Sequence, residues 1–460
     1  MKIVYLIPSA QLGGVENVML DLLVGVRAER PGWELEVVVP AEGPLVERVR
    51  AEKVEVTVLP FPPALARFGD AGAGGPAGRT LSRAALLRRA SLSAPAALLY
   101  ARRLRRALLK SAPDIVHASG FKMQALSALA RVGGASLIWH LHDYVGSRPV
   151  AARLLKRLSV ACDAMVANSR SVAEDARKVF GKRAPVTHVY NAVDLARFTP
   201  EGERADLDAL SGLPPAARGT VRVGLVATLA RWKGHETFLR ALALLPRELN
   251  VRGYVVGDAL YSTDGSQHTL AELRRAANEL GLEGRIGFTG FVADAAPAMR
   301  ALDVVVHAST EPEPFGLVIA EAFACERAVV ASARGGASEL FAHGVEALAH
   351  APGDAPDLSA RIAQLAQDSD LRRRLGARAR AAASRRFDRA RLAREWTNVY
   401  CGLRETEEEG EKGRWGDVER KDTASSVSSP RTETMARVAQ EHEVALSNVS
   451  KSPRLPVSPS

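Results

Sequence analysis

The chain has 460 residues and a net charge of +10, long enough for two or three domains and basic enough to favour anionic partners: nucleotide phosphates, an acidic membrane surface or nucleic acid. With 47% hydrophobic and 25% charged residues, it is neither fibrous nor low-complexity as a whole. Its three cysteines, Cys162, Cys325 and Cys401, are odd in number and widely spaced, which excludes a disulfide framework and a CxxC zinc site and fits a reducing cytoplasm.

The first apolar run is too short for a signal peptide and reads as a strand over 2–7. No stretch of about 18 apolar residues follows, so no membrane span is predicted. Strands are expected over 2–7, 34–39, 54–59, 114–117, 137–141 and 164–168. Helical patterns over 15–29, 121–131 and 170–180 separate them. Continuous rather than alternating apolar runs mark strands covered on both faces, and strand–helix alternation predicts a parallel, doubly wound sheet. Prolines and glycines over 199–219 read as a linker. The alternation then restarts, with strands over 221–227, 251–256, 285–288, 304–307, 328–331 and 346–349. Helices are expected over 236–245, 270–280, 315–325 and 358–365. The expected organisation is α/β: an N-terminal Rossmann-like domain (1–198), a linker (199–220), a second Rossmann-like domain (221–386), a closing helix (387–404) and a disordered tail (405–460). A short helix over 435–446 is the one element expected in the tail. Two such sheets would face a ligand cleft.

Between 79 and 110 lie nine cations, from Arg79, Arg83, Arg88 and Arg89 to Arg102, Arg103, Arg105, Arg106 and Lys110, and no acid. Leucines at helical spacing make the stretch amphipathic, and Pro95 is expected to divide it into two helices. This suits an anionic membrane surface, while a solvated helix face fits as well. Nucleic acid is disfavoured because aromatic residues are not interleaved.

Three constellations carry chemistry. Gly13 and Gly14 follow the first strand and open a helix, where backbone N–H groups can approach an anion. A tight strand–helix turn would look the same, and the absent GxGxxG spacing argues against a nicotinamide enzyme. Arg231, Trp232, Lys233 and Gly234 open a helix in the second half, and two cations there suit a diphosphate, although any lone basic pair fits a solvated surface better. Glu313-Pro314-Phe315-Gly316-Leu317 leads into an apolar helix containing Glu321. Pro314 is expected to begin that helix, which would turn the amides of Phe315 to Leu317 toward the cleft and put Glu321 two turns in. A carboxylate in such a helix needs a partner; a ribose diol would supply two O–H donors, and a backbone or cationic neighbour for Glu321 with a solvated Glu313 fits as well.

Glu313 and Glu321 resemble the EX7E element of the family-4 GT-B glycosyltransferases, and other motifs agree in order over about residues 1–400. They are Gly13-Gly14-Val15-Glu16, Pro113-Asp114-Ile115-Val116-His117, Tyr190-Asn191-Ala192-Val193-Asp194 and Gly335-Gly336-Ala337-Ser338-Glu339. The resemblance implies two Rossmann-like domains, a nucleoside-diphosphate sugar as donor, transfer of a hexosyl group with retention, and neither metal nor cofactor. It implies Lys233 at the diphosphate, Glu321 at the ribose, and Glu313 and His142 at the donor sugar. The glycine loop and the amides of Phe315, Gly316 and Leu317 would lie close by. A sugar, lipid-linked or glycan acceptor would bind the N-terminal domain. Attachment to the inner face of a membrane follows only if the basic stretch binds lipid.

The family's arginine five residues before the lysine is absent: Thr228 stands there. Arg231 is expected to serve in its place. A non-catalytic nucleotide-sugar binder, and an epimerase or phosphorylase on the same scaffold, are the alternative readings. His140 and His142 could also be packing residues on one strand face, and a zinc reading of that HxHD lacks a clustered third ligand.

Overall fold

The computed structural model describes residues 1–66, 83–181, 185–259 and 266–416. The strands of the first half are β1 (Lys2–Leu6), β2 (Glu34–Val39), β3 (Glu55–Val58), β4 (Ile115–Ser119), β5 (Ser136–Leu141), β6 (Ala164–Ala167) and β7 (Val186–His188). They form one parallel sheet in the order β3-β2-β1-β4-β5-β6-β7. The second half supplies β8 (Val221–Val226), β9 (Val251–Val256), β10 (Ile286–Gly290), β11 (Val304–His307), β12 (Ala328–Ser332) and β13 (Leu348–His350), in the order β10-β9-β8-β11-β12-β13. In each sheet the winding reverses beside the first strand, between β1 and β4 and between β8 and β11. Crevices at the carboxyl ends of the strands open at such reversals.

The buried strands explain the continuous apolar runs. On one face of the first sheet, Val4, Val116, Leu137 and Met165 pack beneath the helices Arg83–Ser111, Phe121–Leu129, Pro149–Leu158 and Arg170–Phe180. On the other face, Ile3, Tyr5, Val37 and Ile138 meet Met19 and Leu22 of the helix Gly14–Glu29. The same core takes in Leu392, Trp396, Val399, Tyr400 and Leu403 of the last helix, Arg389–Gly416. The chain therefore returns to its first domain. It does so beside the first crossing: Val193 N–H donates to the Phe387 carbonyl at 2.8 Å, and Val193 bridges Asp388.

Several elements depart from the expectation. Pro95 does not divide the basic stretch. One helix runs through it, Arg83–Ser111, and burial of Tyr100, Leu104 and Leu108 offsets the roughly 3 kcal/mol that an internal proline costs. Residues 79–82 of that stretch lie outside the described residues. The segment 199–219 carries a short helix, Leu207–Leu210. Its Asp208 is buried against Arg252 (2.6 Å) and the Tyr254 hydroxyl (2.6 Å), which tie it to the second domain. Tyr190, Val193 and Phe198 already belong to the second domain's core. The last helix continues past residue 404 to Gly416. The tail beyond it, with the helix expected over 435–446, lies outside the described residues.

Candidate functional site

The site is built where strands end at the two reversals. After β8 the chain makes a short turn, Arg231–Lys233, and Gly234 adopts φ +77° to start the helix His235–Ala243. Only glycine fits there: a Cβ on Gly234 would lie 1.9 Å from the Ala308 carbonyl oxygen. The turn is pinned to the end of β11, because the Trp232 carbonyl accepts from the Thr310 amide at 2.8 Å.

That contact delivers Lys233 to Glu313, with Lys233 Nζ donating to Glu313 Oε2 at 2.8 Å. Ser309 Oγ donates to the same oxygen at 2.8 Å, and His307 Nε2 lies 3.2 Å from it. Burial pushes the Glu313 carboxyl up, but the Lys233 ammonium and His307 outweigh it and hold the group well below the usual carboxylate range. The Lys233 ammonium also sits 3.9 Å from the centre of the Trp232 ring. Ser309 and His307 were not singled out from sequence, since the hydrogen bonds that involve them depend on a non-helical loop after β11.

The helix after Glu313 starts at Leu317, not at Pro314. Gly316 is its N-cap at φ +94°. Phe315 points inward to Tyr190 and Phe387. Glu321 is consequently one turn into the helix rather than two. It is half-buried and lines a cavity of about 250 Å³ between the domains, with Asn17, Asp21, Arg197, Asp294 and Arg389. Burial raises the Glu321 carboxyl to about 7; Arg197 lowers it, and Asp21 and Asp294 raise it further. Burial likewise brings Asp21 up to about 6, although Arg389 binds it at 2.5 Å and pulls it down. Two carboxyl groups that titrate near neutrality thus share one pocket.

The first domain contributes two loops. A Cβ at Gly14 would meet Leu317 at 3.7 Å, so the glycine loop faces the start of the Glu321 helix. One of its amides is already engaged, because Gly13 N–H donates to Glu16 at 3.2 Å. His142 follows β5, and its ring lies 3.8 Å from that of His140. Behind them His117 bonds His140 (3.1 Å) and the Tyr400 hydroxyl (2.8 Å). Burial pushes His142 down to about 3, which leaves it neutral, and its Nε2 has no hydrogen-bond partner among the described residues. The adjoining His140 Nε2 is likewise buried without one among the described residues. Two residues on, the Tyr144 hydroxyl donates to the Glu313 carbonyl at 3.3 Å, which sets the His142 loop beside the Glu313 loop.

Arg231 stands on the same turn as Lys233. Its guanidinium engages His268 (3.2 Å) and Glu272 (3.4 Å). Among the described residues no cluster of three His, Cys, Asp or Glu side chains is arranged to hold a metal ion.

A cleft between two parallel-sheet domains, with the buried Lys233–Glu313 pair at the strand ends, is the GT-B architecture. One family model, Glycosyltransferase Family 4, matches residues 12–197, and a second, Glycosyl transferases group 1, matches residues 217–382. The chain belongs to the family-4 glycosyltransferases. It is 35% identical over 257 residues to a D-inositol 3-phosphate glycosyltransferase of Xylanimonas cellulosilytica, covering 54% of this chain and 58% of that one. It is 32% identical over 232 residues to a GDP-mannose-dependent alpha-(1-6)-phosphatidylinositol monomannoside mannosyltransferase of Mycolicibacterium smegmatis, covering 48% and 58%. The matches thus span little more than half the length of these relatives. The structure of Anabaena HepE in complex with UDP-glucose superposes with a TM-score of 0.70 at 26% identity, over 87% of this chain and 99% of that one.

Proposed function

We propose that this protein transfers a hexosyl group from a nucleoside-diphosphate sugar to an acceptor hydroxyl with retention, in glycan, glycolipid or polysaccharide synthesis. The observation that carries the reading is the Lys233–Glu313 pair, fixed at the ends of β8 and β11 and facing the His142 loop. Lys233 stabilises the charge that develops on the departing diphosphate, where a preorganised cation in a dry site acts most strongly. Glu313 is held ionised by its neighbours, so it stabilises positive charge on the sugar and is a poor proton acceptor. The departing phosphate is then the base for the acceptor hydroxyl. Neutral His142 offers its Nε2 to the donor sugar, and Glu321 accepts from the ribose hydroxyls. The amides of Phe315, Gly316 and Leu317 and the Gly13–Gly14 loop lie toward the phosphates and sugar. The reading uses no metal.

The acceptor side has support from the surface. Exposed Leu98, Leu99 and Leu109 alternate with exposed Arg102, Arg103, Arg105, Arg106 and Lys110 on one helix of the first domain. Exposed Val150 and Leu154 accompany Arg153, Lys156 and Arg157 on another. Cations interspersed with apolar side chains fit an anionic lipid surface and a lipid-linked acceptor. No described helix is long and apolar enough to cross a membrane.

A thermal-shift and hydrolysis screen against UDP-, GDP-, ADP- and dTDP-sugars, with and without EDTA, tests the proposal, starting from UDP-glucose because HepE was solved with it. Stabilisation by one nucleotide, with sugar release insensitive to EDTA, is expected. Binding without release or transfer would point to a non-catalytic binder, and epimerised or phosphorolysed product to the other scaffold chemistries.

A further inference from the structure

The turn Gly335–Glu339 has no part in the chemistry above, yet it bonds directly to the first domain. Its Glu339 carboxylate, on the second domain, accepts from two backbone amides of the first: Ser171 at 2.7 Å and Arg170 at 3.0 Å. These are the first residues of the helix Arg170–Phe180, whose amides have no partner within the helix and whose dipole favours a negative charge. The Tyr190 hydroxyl donates to the same carboxylate at 2.8 Å. Arg386 fixes the turn from behind through the carbonyls of Glu339 (2.6 Å) and Leu340 (2.9 Å).

Beside this cap, Tyr144 of the first domain ties three groups together. Its hydroxyl donates to the Glu313 carbonyl at 3.3 Å, accepts from the Gly336 amide at 3.2 Å and lies 2.9 Å from Ser171 Oγ. The two glycines allow the approach. A Cβ on Gly335 would lie 2.4 Å from the Tyr144 hydroxyl, and one on Gly336 would lie 2.8 Å from Ser169 Oγ and 2.0 Å from the Pro314 carbonyl. Contacts within the second domain require glycine as well: Gly335 has φ +73°, and a Cβ there would lie 2.7 Å from the Glu313 carbonyl oxygen.

We propose that Tyr144 and Glu339 form a clasp between the domains that positions His142 against Glu313 for the transfer step. Neither residue touches substrate; both are positioning residues. The clasp joins the loop that carries His142 to the loop that carries Glu313, so opening it moves one side of the donor-sugar site away from the other. The catalytic part of the proposal rests on the donor-site reading given above, whereas the clasp itself does not.

The test uses the full chain with Tyr144→Phe, Glu339→Gln, Glu339→Asp and the Tyr144→Phe/Glu339→Gln double variant. Small-angle scattering without ligand reads the clasp alone: Glu339→Gln and the double variant are expected to be more extended than the wild type, with unchanged secondary structure. Steady-state transfer from the donor found active in the screen reads positioning. Tyr144→Phe and Glu339→Gln are each expected to lose at least about tenfold in kcat, the loss expected of a charge-assisted or buried hydrogen bond. Affinity for the free nucleoside diphosphate should stay within about threefold, since Lys233 and Glu321 are untouched. The double variant should fall short of the product of the two losses because both act on one contact. Glu339→Asp should recover part of kcat. Wild-type compactness in all variants would overturn the clasp. Extended variants with wild-type kcat would overturn its role in transfer. If even the wild type turns over no sugar nucleotide, the donor reading fails and the scattering result still decides the clasp.

Discussion

Removing the charge of Lys233 while keeping its stem separates electrostatics from packing. Lys233→Met retains an aliphatic chain beside Trp232 and strips the ammonium from Glu313. The pair is desolvated, with side-chain exposures of 20% and 9%. Orphaning one partner of a buried pair costs about 3–5 kcal/mol. Ser309 and His307 still hold the Glu313 oxygen, which brings the expected loss just below that range, to about 2–3 kcal/mol. That is smaller than a typical domain stability of about 5–15 kcal/mol, so the variant stays folded at 25 °C. The sign of its pH dependence follows from linkage. In the wild type the depressed Glu313 value contributes stability above the ordinary glutamate value of about 4.3, and that contribution is lost as pH falls through the lower folded value. Without the ammonium the carboxyl rises, so the deficit of Lys233→Met is greatest at neutral pH and shrinks below about 4.3. Urea unfolding at pH 7 and pH 4 checks this. The catalytic loss is separate: a preorganised charge aimed at a leaving group is worth about 10²–10³ in rate, read as kcat/KM with the donor identified by screening. A kcat/KM within twofold of the wild type would refute the placing of the diphosphate at Lys233, and a stability deficit independent of pH would refute the account of the buried pair.

Four further outcomes follow. Because burial raises the Glu321 carboxyl to about 7 and only its ionised form accepts from both ribose hydroxyls, nucleotide affinity should weaken about fivefold from pH 7 to pH 6. Glu321→Gln should bind more weakly with a flatter profile; calorimetry from pH 6 to 8 reads both, and an unchanged slope would exclude Glu321 as the titrating group. His142→Ala should lower kcat by about 10–100-fold with nucleotide affinity nearly unchanged. As His142 is pushed down to about 3, the wild-type rate should show no step attributable to its protonation between pH 5 and 8. Gly234→Ala forces a Cβ against the Ala308 carbonyl at φ +77°, so a loss above about 2 kcal/mol by denaturant unfolding is expected, together with loss of turnover as Lys233 is displaced. Replacing Arg102, Arg103, Arg105 and Arg106 with glutamine should abolish binding to vesicles containing phosphatidylglycerol while leaving transfer to a soluble acceptor intact; unchanged vesicle binding would remove the lipid-surface reading.

The two sheets were legible because buried parallel strands are continuous apolar runs, and 34–39, 251–256 and 304–307 match the strands residue for residue. β7 escaped because Val186–His188 is only three residues long. The helix beginning at Leu317 was placed too early, since Pro314 carries a helix-start signal that Gly316, in a left-handed conformation, overrides. Glu313, Glu321 and Lys233 could be singled out as charged residues at strand ends or in an apolar helix. Ser309, His307, Tyr144 and Asp21 could not, because their importance arises from contacts between segments far apart in sequence or within an irregular loop. The partners of Arg231 show the same limit: His268 and Glu272 reach its guanidinium from a segment well along the chain.

The return of the last helix to the first domain has a consequence for how the chain is made. The first sheet is synthesised by residue 188, yet the face lined by Ile3, Tyr5 and Ile138 is closed by Trp396, Val399, Tyr400 and Leu403. At ribosomal rates of about 5–20 residues per second, some 10–40 s pass before these residues exist. During that interval the second domain can fold while the nascent first domain exposes an apolar face. The domain written first is completed last, and a ribosome stalled between the domains would present that face to chaperones.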